Sequence, residues 1–164
     1  MNPSSLISLD EALKKLLLCA TPLNRALNVS TFRADGYVLA QDLVSAIQVP
    51  SFDNSAMDGY AFDSKYLGVS NATISLKIMG TAFAGKPYEG KINCGECLKI
   101  MTGAVMPLGL NTVIAQEFTT VNKSGIETIV EIPAGLLQIG DNRRKAGEDL
   151  QRGLPALTVG NALT

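Results

Sequence analysis

Ile74-Ser75-Leu76-Lys77-Ile78-Met79, residues 74–79, sets the period of the middle of the chain: Ile74, Leu76 and Ile78 alternate with Ser75, Lys77 and Met79. Side chains on a strand point by turns to its two faces, so this alternation predicts a half-buried β-strand. Towards the C-terminus, Leu98 and Ile100 repeat it just before a turn-rich break from Thr102-Gly103 through Pro107 and Gly109. The runs Thr112–Val121 and Ile126–Ile132 then flank Asn122-Lys123-Ser124-Gly125, which predicts a hairpin with a four-residue loop. Residues 46–139 therefore read as a β-rich module.

On the N-terminal side, Ser8 followed by Glu11 has the spacing of a capping box, in which each side chain satisfies a free backbone donor of the other. Leu9, Ala12, Leu13, Leu16, Leu17 and Ala20 recur at helical spacing and leave Lys14 and Lys15 in water, so an amphipathic helix is predicted, ended at Pro22. Arg25–Val29 reads as a short strand. Val38–Gln48 reads as a helical turn running into a strand. Beyond the β-rich module, residues 140–153 (GDNRRKAGEDLQRG) are too polar and too rich in glycine for a core. Leu154–Thr164 reads as the approach to a further element.

The chain of 164 residues is long enough for one good core or for two small modules that share one. A hydrophobic share of 46% with 18% charged residues suits a folded protein. The net charge of −1 carries no basic excess, which argues against nucleic acid or an anionic membrane surface as a partner. The apolar run LKKLLLCA falls far short of the ~20 residues of a membrane span, and the acidic pair Asp10-Glu11 stands where a signal peptide has a basic region. The cytoplasm is the expected compartment. Histidine and tryptophan are both absent. That removes Ser-His-Asp and Cys-His nucleophiles and His-ligated zinc from this chain, and leaves proton transfer to carboxylates, lysine, tyrosine or metal-bound water.

Chemistry is concentrated in three stretches. The first, PSFDNSAMDGYA at 50–61, combines turn-forming Asp53, Asn54 and Ser55 with the dipeptide Asp58-Gly59, and reads as an ordered loop between two strands. Asp58 suits a metal ligand or an acid near a charged substrate, and equally a turn-stabilising carboxylate. In IMTGAVMP at 100–107, Thr102 ends an apolar strand; its hydroxyl and the amides that follow suit an oxyanion, and equally an ordinary strand end. In 141–149, Arg144 offers a fork of donors that matches phosphate, and Glu148 with Asp149 suits a divalent cation; a solvated charge cluster has the same composition. The Cys94-Gly95-Glu96-Cys97 spacing reads as a strand-entry turn, because only Cys19 is left to complete a zinc site and no helix start is at hand to activate a thiolate.

Taken together and in this order, these stretches resemble the N-terminal region of the molybdopterin molybdenumtransferase family, the MoeA proteins and the gephyrin E domain. The resemblance runs over nearly the whole chain through PSFDNSAMDGYA, FAGKPYEG at 83–90, IMTGAVMP, and Gly140, Asn142, Arg144 and Gly147-Glu148-Asp149. It implies a mainly β (β-rich α+β) fold with an N-terminal amphipathic helix. Residues 1–45 with 140–164 would form an elongated piece built on a bifurcated, coiled sheet, and 46–139 an inserted β-rich domain. The later molybdopterin-binding α/β domain and the C-terminal β-barrel of the family lie outside this sequence. The implied reaction is insertion of molybdate into adenylylated molybdopterin with release of AMP, with Mg2+ or another divalent cation required. By motif position the resemblance implies catalytic roles for Asp58, Thr102 and Asp149, and substrate-binding roles for Ser55, Gly103 and Arg144. Asp58 and Asp149 could position metal or the molybdate, and the resemblance leaves open which of them touches the metal. A homodimer is implied, whose cleft pairs this region of one subunit with the α/β domain of the other, and molybdopterin adenylyltransferase is a further expected partner. Two other readings stand beside it: a non-catalytic dimerisation or scaffold module with the same fold, and a metal-dependent phosphoester hydrolase using Asp58 and Asp149.

Overall fold

In the computed structural model, residues 6–23, 25–68 and 72–164 are described, and the chain divides into two compact units, Met1–Gln41 with Val159–Thr164 and Asp42–Thr158. The sequence division at 45/46 and 139/140 falls inside the second of these.

The first unit contains helix α1, Leu9–Cys19, with its capping box formed: Ser8 Oγ accepts from the Glu11 amide and the Glu11 carboxylate accepts from the Ser8 amide. No residue of α1 is buried, and Leu9, Leu13, Leu16 and Leu17 stand exposed along one side. Its other tie joins the two ends of the chain. Val38 bridges to Ala162, flanked by backbone bonds between Gly36 and Leu163 and between Leu39 and Asn161. The strand expected over Arg25–Val29 is not formed, because a strand needs a ladder partner and these exposed residues have none among the described ones.

The second unit holds strands β1 (Leu43–Val44), β2 (Asn54–Ser55), β3 (Gly59–Phe62), β4 (Ile74–Ala82), β5 (Glu96–Ile100), β6 (Thr112–Ala115), β7 (Thr120–Ser124), β8 (Glu127–Ile132), β9 (Arg143–Arg144) and β10 (Pro155–Leu157). The helical turn expected within Val38–Gln48 is absent. Backbone groups that a helix would use are taken by distant partners: Leu43 pairs with Leu157 in β10, and the Ser45 amide donates to the Leu154 carbonyl.

Six strands form one sheet in the order β6-β3-β5-β4-β8-β7, all antiparallel neighbours except the parallel pair β4–β5. The edge strands β6 and β7 are consecutive in the chain and joined only through a 3-10 turn at Gln116–Phe118. Six strands laid flat would separate the edges by about 24 Å, at ~4.8 Å per strand. Five Cα steps from Ala115 to Thr120 reach at most about 18 Å, and a 3-10 turn shortens that further. The sheet therefore curls. This also corrects the single strand expected over Thr112–Val121, which the turn breaks into two pieces on opposite edges. The hairpin β7–β8 is tighter than expected: Ser124 pairs with Glu127, leaving a two-residue loop with Gly125 at φ +64, where a type II′ turn wants glycine.

Each face of the curled sheet carries its own apolar cluster. Ala61, Ala82, Leu98, Ile100 and Val113 pack on one face, and Tyr60, Phe62, Leu76, Cys97, Ile114, Val130 and Ile132 on the other. Full burial of side chains such as Phe62, Leu98 and Ile100 contributes roughly 1.5–3 kcal/mol each. Among the described residues all three cysteines are free; Cys97 lies in the core, where burial pushes its thiol up to about 12, while Cys94 is exposed at the strand entry. No described helix is long and apolar enough to cross a membrane. The fold is mainly β, with one helix and a curled sheet.

Candidate active site

The stretch 50–58 is held from two sides. On one side, the Ser55 amide donates to the Ala104 carbonyl at 3.0 Å, the Gly103 amide to the Ser55 carbonyl at 2.8 Å, and the Met106 amide to the Asp53 carbonyl at 2.9 Å. On the other, β2 pairs with β9, Asn54 opposite Arg144 and Ser55 opposite Arg143. Asp53 Oδ1 accepts from the Ala146 amide at 2.8 Å, and the Ala56 amide donates to the Asn142 carbonyl at 2.9 Å. Asn142 sits at φ +55, a region asparagine tolerates, and its amide group donates to the Val113 carbonyl at 2.9 Å. The three chemistry-bearing stretches of the sequence are thus woven into one piece by main-chain bonds.

Asp58 emerges where this piece enters the sheet. Its Oδ1 accepts both the Thr102 amide and the Thr102 hydroxyl, each at 2.7 Å, and its carbonyl accepts the Gln116 amide at 3.0 Å. The backbone bond from Thr102, then the Thr102 hydroxyl, then the charge of Lys99 hold the Asp58 carboxyl below its usual range of 3.8, against a small opposing effect of burial. Gly59 is not a turn residue, as the dipeptide suggested, but the first residue of β3. A Cβ there would lie 1.9 Å from the Ile114 carbonyl oxygen, so the approach of β6 to β3 requires glycine.

The arrangement changes the role expected of Thr102 and Gly103. The Thr102 amide and hydroxyl are both spent on Asp58, and the Gly103 and Ala104 amides go to the Ser55 and Met101 carbonyls. These donors face no open oxyanion cradle; they build a fixed carboxylate instead. Ser55 is 1% exposed and its hydroxyl closes a local turn, donating to the Met57 carbonyl at 2.6 Å and accepting the Met57 amide at 3.2 Å. It shapes the loop from within.

Arg144 and Asp149 form a second pair, Nη2 against Oδ1, with Glu148 Oε1 at 3.5 Å from Arg144 Nε. Asp149 first, then Glu148, hold the guanidinium cationic. The Lys145 amide donates to Glu148 at 2.9 Å, which fixes the turn that carries both acids. The segment read as too polar for a core is thus ordered, with Gly147 buried within it. The two pairs, Asp58–Thr102 and Arg144–Asp149, make no hydrogen bond or ion pair with each other; β2 joins them through its backbone. Asp53 and Asn142, which pin the loop, entered the sequence reading only as a turn former and as part of a motif, with no site role. An aspartate in a turn-forming run and an asparagine beside a glycine give a signal for backbone geometry only.

Across residues 7–164 the chain matches the family of the MoeA N-terminal region (domain I and II). The chain belongs to that family. The molybdopterin molybdenumtransferase of Haemophilus influenzae is 36% identical over 97% of this chain and 38% of its own length. That of Synechococcus elongatus is 31% identical over 97% of this chain and 39% of its own length. A crystal structure of the molybdopterin biosynthesis moeA protein from Pyrococcus horikoshii OT3 superposes with a TM-score of 0.76 at 30% identity, covering 98% of this chain and 41% of that one. The chain therefore spans about two fifths of the length of these MoeA relatives.

Proposed function

We propose that this chain forms one wall of the active site of a molybdopterin molybdenumtransferase, which inserts molybdate into adenylylated molybdopterin with release of AMP in molybdenum cofactor biosynthesis. The observation that carries this reading is the Asp58 carboxylate clamped by both donors of Thr102 at 2.7 Å, on a loop that main-chain bonds tie to the Arg144–Asp149 segment. Membership of the MoeA N-terminal family supports it.

In this reading Asp58 is an acceptor of fixed position. Oδ1 is filled by Thr102, and Oδ2, which takes no hydrogen bond from the described residues, receives a hydrogen bond from the incoming substrate. Arg144 provides a planar fork suited to a phosphate of the adenylylated substrate, and Asp149 holds that fork in orientation when no phosphate is bound. Gly103 and Ser55 act through the backbone that fixes Thr102 and Asp58.

The family implies a divalent cation. Among the described residues no three acidic or thiol groups come together as a cation site, and Asp58 and Asp149 are each engaged with a different partner. The described residues do not by themselves fit the ion, and the hydrolase reading loses its two-carboxylate site. A homodimer, contact with molybdopterin adenylyltransferase and a cytoplasmic location belong to the same proposal. The exposed leucines of α1 favour a second reading beside catalysis, a dimerisation or scaffold module.

The deciding experiment is rescue of a molybdenumtransferase-deficient strain by the complete reading frame that carries this sequence. Wild type is expected to rescue, and Asp58→Asn and Thr102→Ala, verified as folded and soluble, to fail or rescue weakly. Equal rescue by both variants would refute the site; no rescue by wild type would refute the function and favour the scaffold reading.

A further inference from the structure

Asp53 joins the three chemistry-bearing stretches at one residue. Its carbonyl accepts the Met106 amide of 100–107 at 2.9 Å, and its Oδ1 accepts the Ala146 amide of 141–149 at 2.8 Å, 93 positions along the chain. Its Oδ2 lies 3.7 Å from Nη1 of Arg143, the one ion pair of that arginine among the described residues. Arg144 stands between the two residues that the Asp53 carboxylate faces, and its own backbone pairs with Asn54, the next residue along β2. The alternation of β9 separates the two arginines. Residues opposite on paired strands share a face, so Arg143 lies on the side of buried Ser55 and Arg144 on the other, where Asp149 and Glu148 meet it.

The two contacts of the carboxylate differ in kind. The Arg143 side chain is 25% exposed, and its buried Nε has no hydrogen-bond partner among the described residues. An orphaned buried donor costs stability, and an apolar side chain in its place is neutral or better, so Arg143 supplies charge balance rather than a fixed bond. Ala146, by contrast, lies inside the turn that carries both acids: the Lys145 amide donates to the Glu148 carboxylate at 2.9 Å and the Glu148 amide to the Lys145 carbonyl at 3.1 Å. Main-chain bonds also tie this turn to the loop, from the Gly147 amide to the Pro50 carbonyl at 2.9 Å and from the Asp149 amide to the Val49 carbonyl at 2.8 Å. Asp53 provides the side-chain tie, the one a substitution removes. Asp58 is held apart from this junction, by Thr102 and Gln116.

We propose that Asp53 is a positioning residue of the site: through the Ala146 amide it sets the direction of the Arg144 fork relative to Asp58, without itself touching substrate. The positioning stands on these contacts; that the fork receives a phosphate rests on the transferase reading. Loss of the Asp53 carboxylate loosens the turn that aims Arg144 and leaves the Asp58 acceptor in place. The consequence falls on substrate binding rather than on the chemical step.

The test uses the product of the complete reading frame. Arg144 is followed by the NMR signal of its Nε–H, assigned with Arg144→Lys, and catalysis by KM and kcat for adenylylated molybdopterin with molybdate. In Asp53→Ala the Arg144 signal is expected to shift and KM to rise at least about tenfold, with kcat within about threefold of wild type. Asp53→Asn, which keeps an oxygen for the Ala146 amide, is expected to retain the signal and a KM within about threefold. Removing the carboxylate also leaves Arg143 unbalanced, so the double variant Asp53→Ala/Arg143→Met guards against a misfolded single one: it should melt no lower than Asp53→Ala and keep the shifted signal and raised KM. An unshifted Arg144 signal in folded Asp53→Ala, a fall in kcat as large as the rise in KM, or Asp53→Asn behaving as Asp53→Ala refutes the positioning role. A shifted signal in a protein whose wild type turns over no adenylylated molybdopterin overturns the transferase reading alone; wild-type turnover with KM unchanged in Asp53→Ala overturns this inference alone.

Discussion

Replacing Gly59 with alanine tests whether the close approach of β6 to β3 is what positions Asp58. The new Cβ would stand 1.9 Å from the Ile114 oxygen, 2.8 Å from its carbonyl carbon and 3.1 Å from the Ala115 Cα. All three are backbone atoms, so no side-chain rotation relieves the clash. Ordinary contact requires about 3.4 Å, hence a separation of the two strands by about 1.5 Å at this point. The Gln116 amide lies 3.0 Å from the Asp58 carbonyl, and opening of that size takes it beyond hydrogen-bonding range. Loss of two or three ladder bonds at about 1 kcal/mol each, with overpacking of roughly 1–3 kcal/mol, gives a destabilisation of about 3–6 kcal/mol. With a urea m-value of about 2 kcal/mol per molar, the midpoint falls by roughly 1.5–3 M. Gly85→Ala is the control: at φ +75 with nothing within 4 Å of its Cβ, it carries only the left-handed backbone cost of roughly 1–2 kcal/mol. A Gly59→Ala midpoint within 0.5 M of wild type, read as an order-of-magnitude bound, would refute the steric argument. Where enough protein folds, Asp58-dependent rescue should be lost as well, since the same opening frees the Asp58 carbonyl from the Gln116 amide and releases the end of the loop that carries the carboxylate.

Two further outcomes follow from the local electrostatics. Because Thr102 and Lys99 depress the folded-state value of Asp58, the stability from that clamp is fully present above 3.8 and is lost as pH falls through the lower folded value; carboxyl-carbon NMR should place the Asp58 midpoint below 3.8, moving upwards in Thr102→Val, and a midpoint above 3.8 in wild type would contradict the hydrogen bonds. Burial raises the Cys97 thiol to about 12, so at pH 8 it stays protonated and unreactive in the native state; mass spectrometry after brief iodoacetamide treatment should find Cys19 and Cys94 alkylated and Cys97 only after denaturation.

The legible parts of the sequence were those whose signals are local. The capping box at Ser8 and Glu11 satisfies donors three residues apart, and α1 follows it as expected. The alternation in 74–79 became β4, and the Leu98–Ile100 run became β5. Other elements depended on partners far along the chain. Arg25–Val29 had strand-compatible residues and no ladder to join, while the glycine-rich, polar 140–153 acquired one through β2. The stretch Thr112–Val121 is apolar enough for one strand, but the curl of the sheet sends its halves to opposite edges.

The same division holds for the candidate site. Residue types alone marked out 50–61, 100–107 and 141–149, because carboxylates, hydroxyls and arginines among turn formers are legible wherever they fold. The sequence by itself determined a mainly β chain, an amphipathic first helix, membership of a family, and which stretches carry chemistry. Only the tertiary structure decided that Thr102 donates to Asp58 rather than to an anion, that Ser55 is turned inward, that Gly59 is held by a neighbouring carbonyl, and that Lys99 shares a face with Asp58. Three of these are relations between residues tens of positions apart, and Ser55 is enclosed by backbone bonds to Gly103 and Ala104. Hydrogen bonds and steric contacts act over about 3 Å, and register across a curled sheet, including one slip between Ile78 and Thr81, selects which distant groups come within that range.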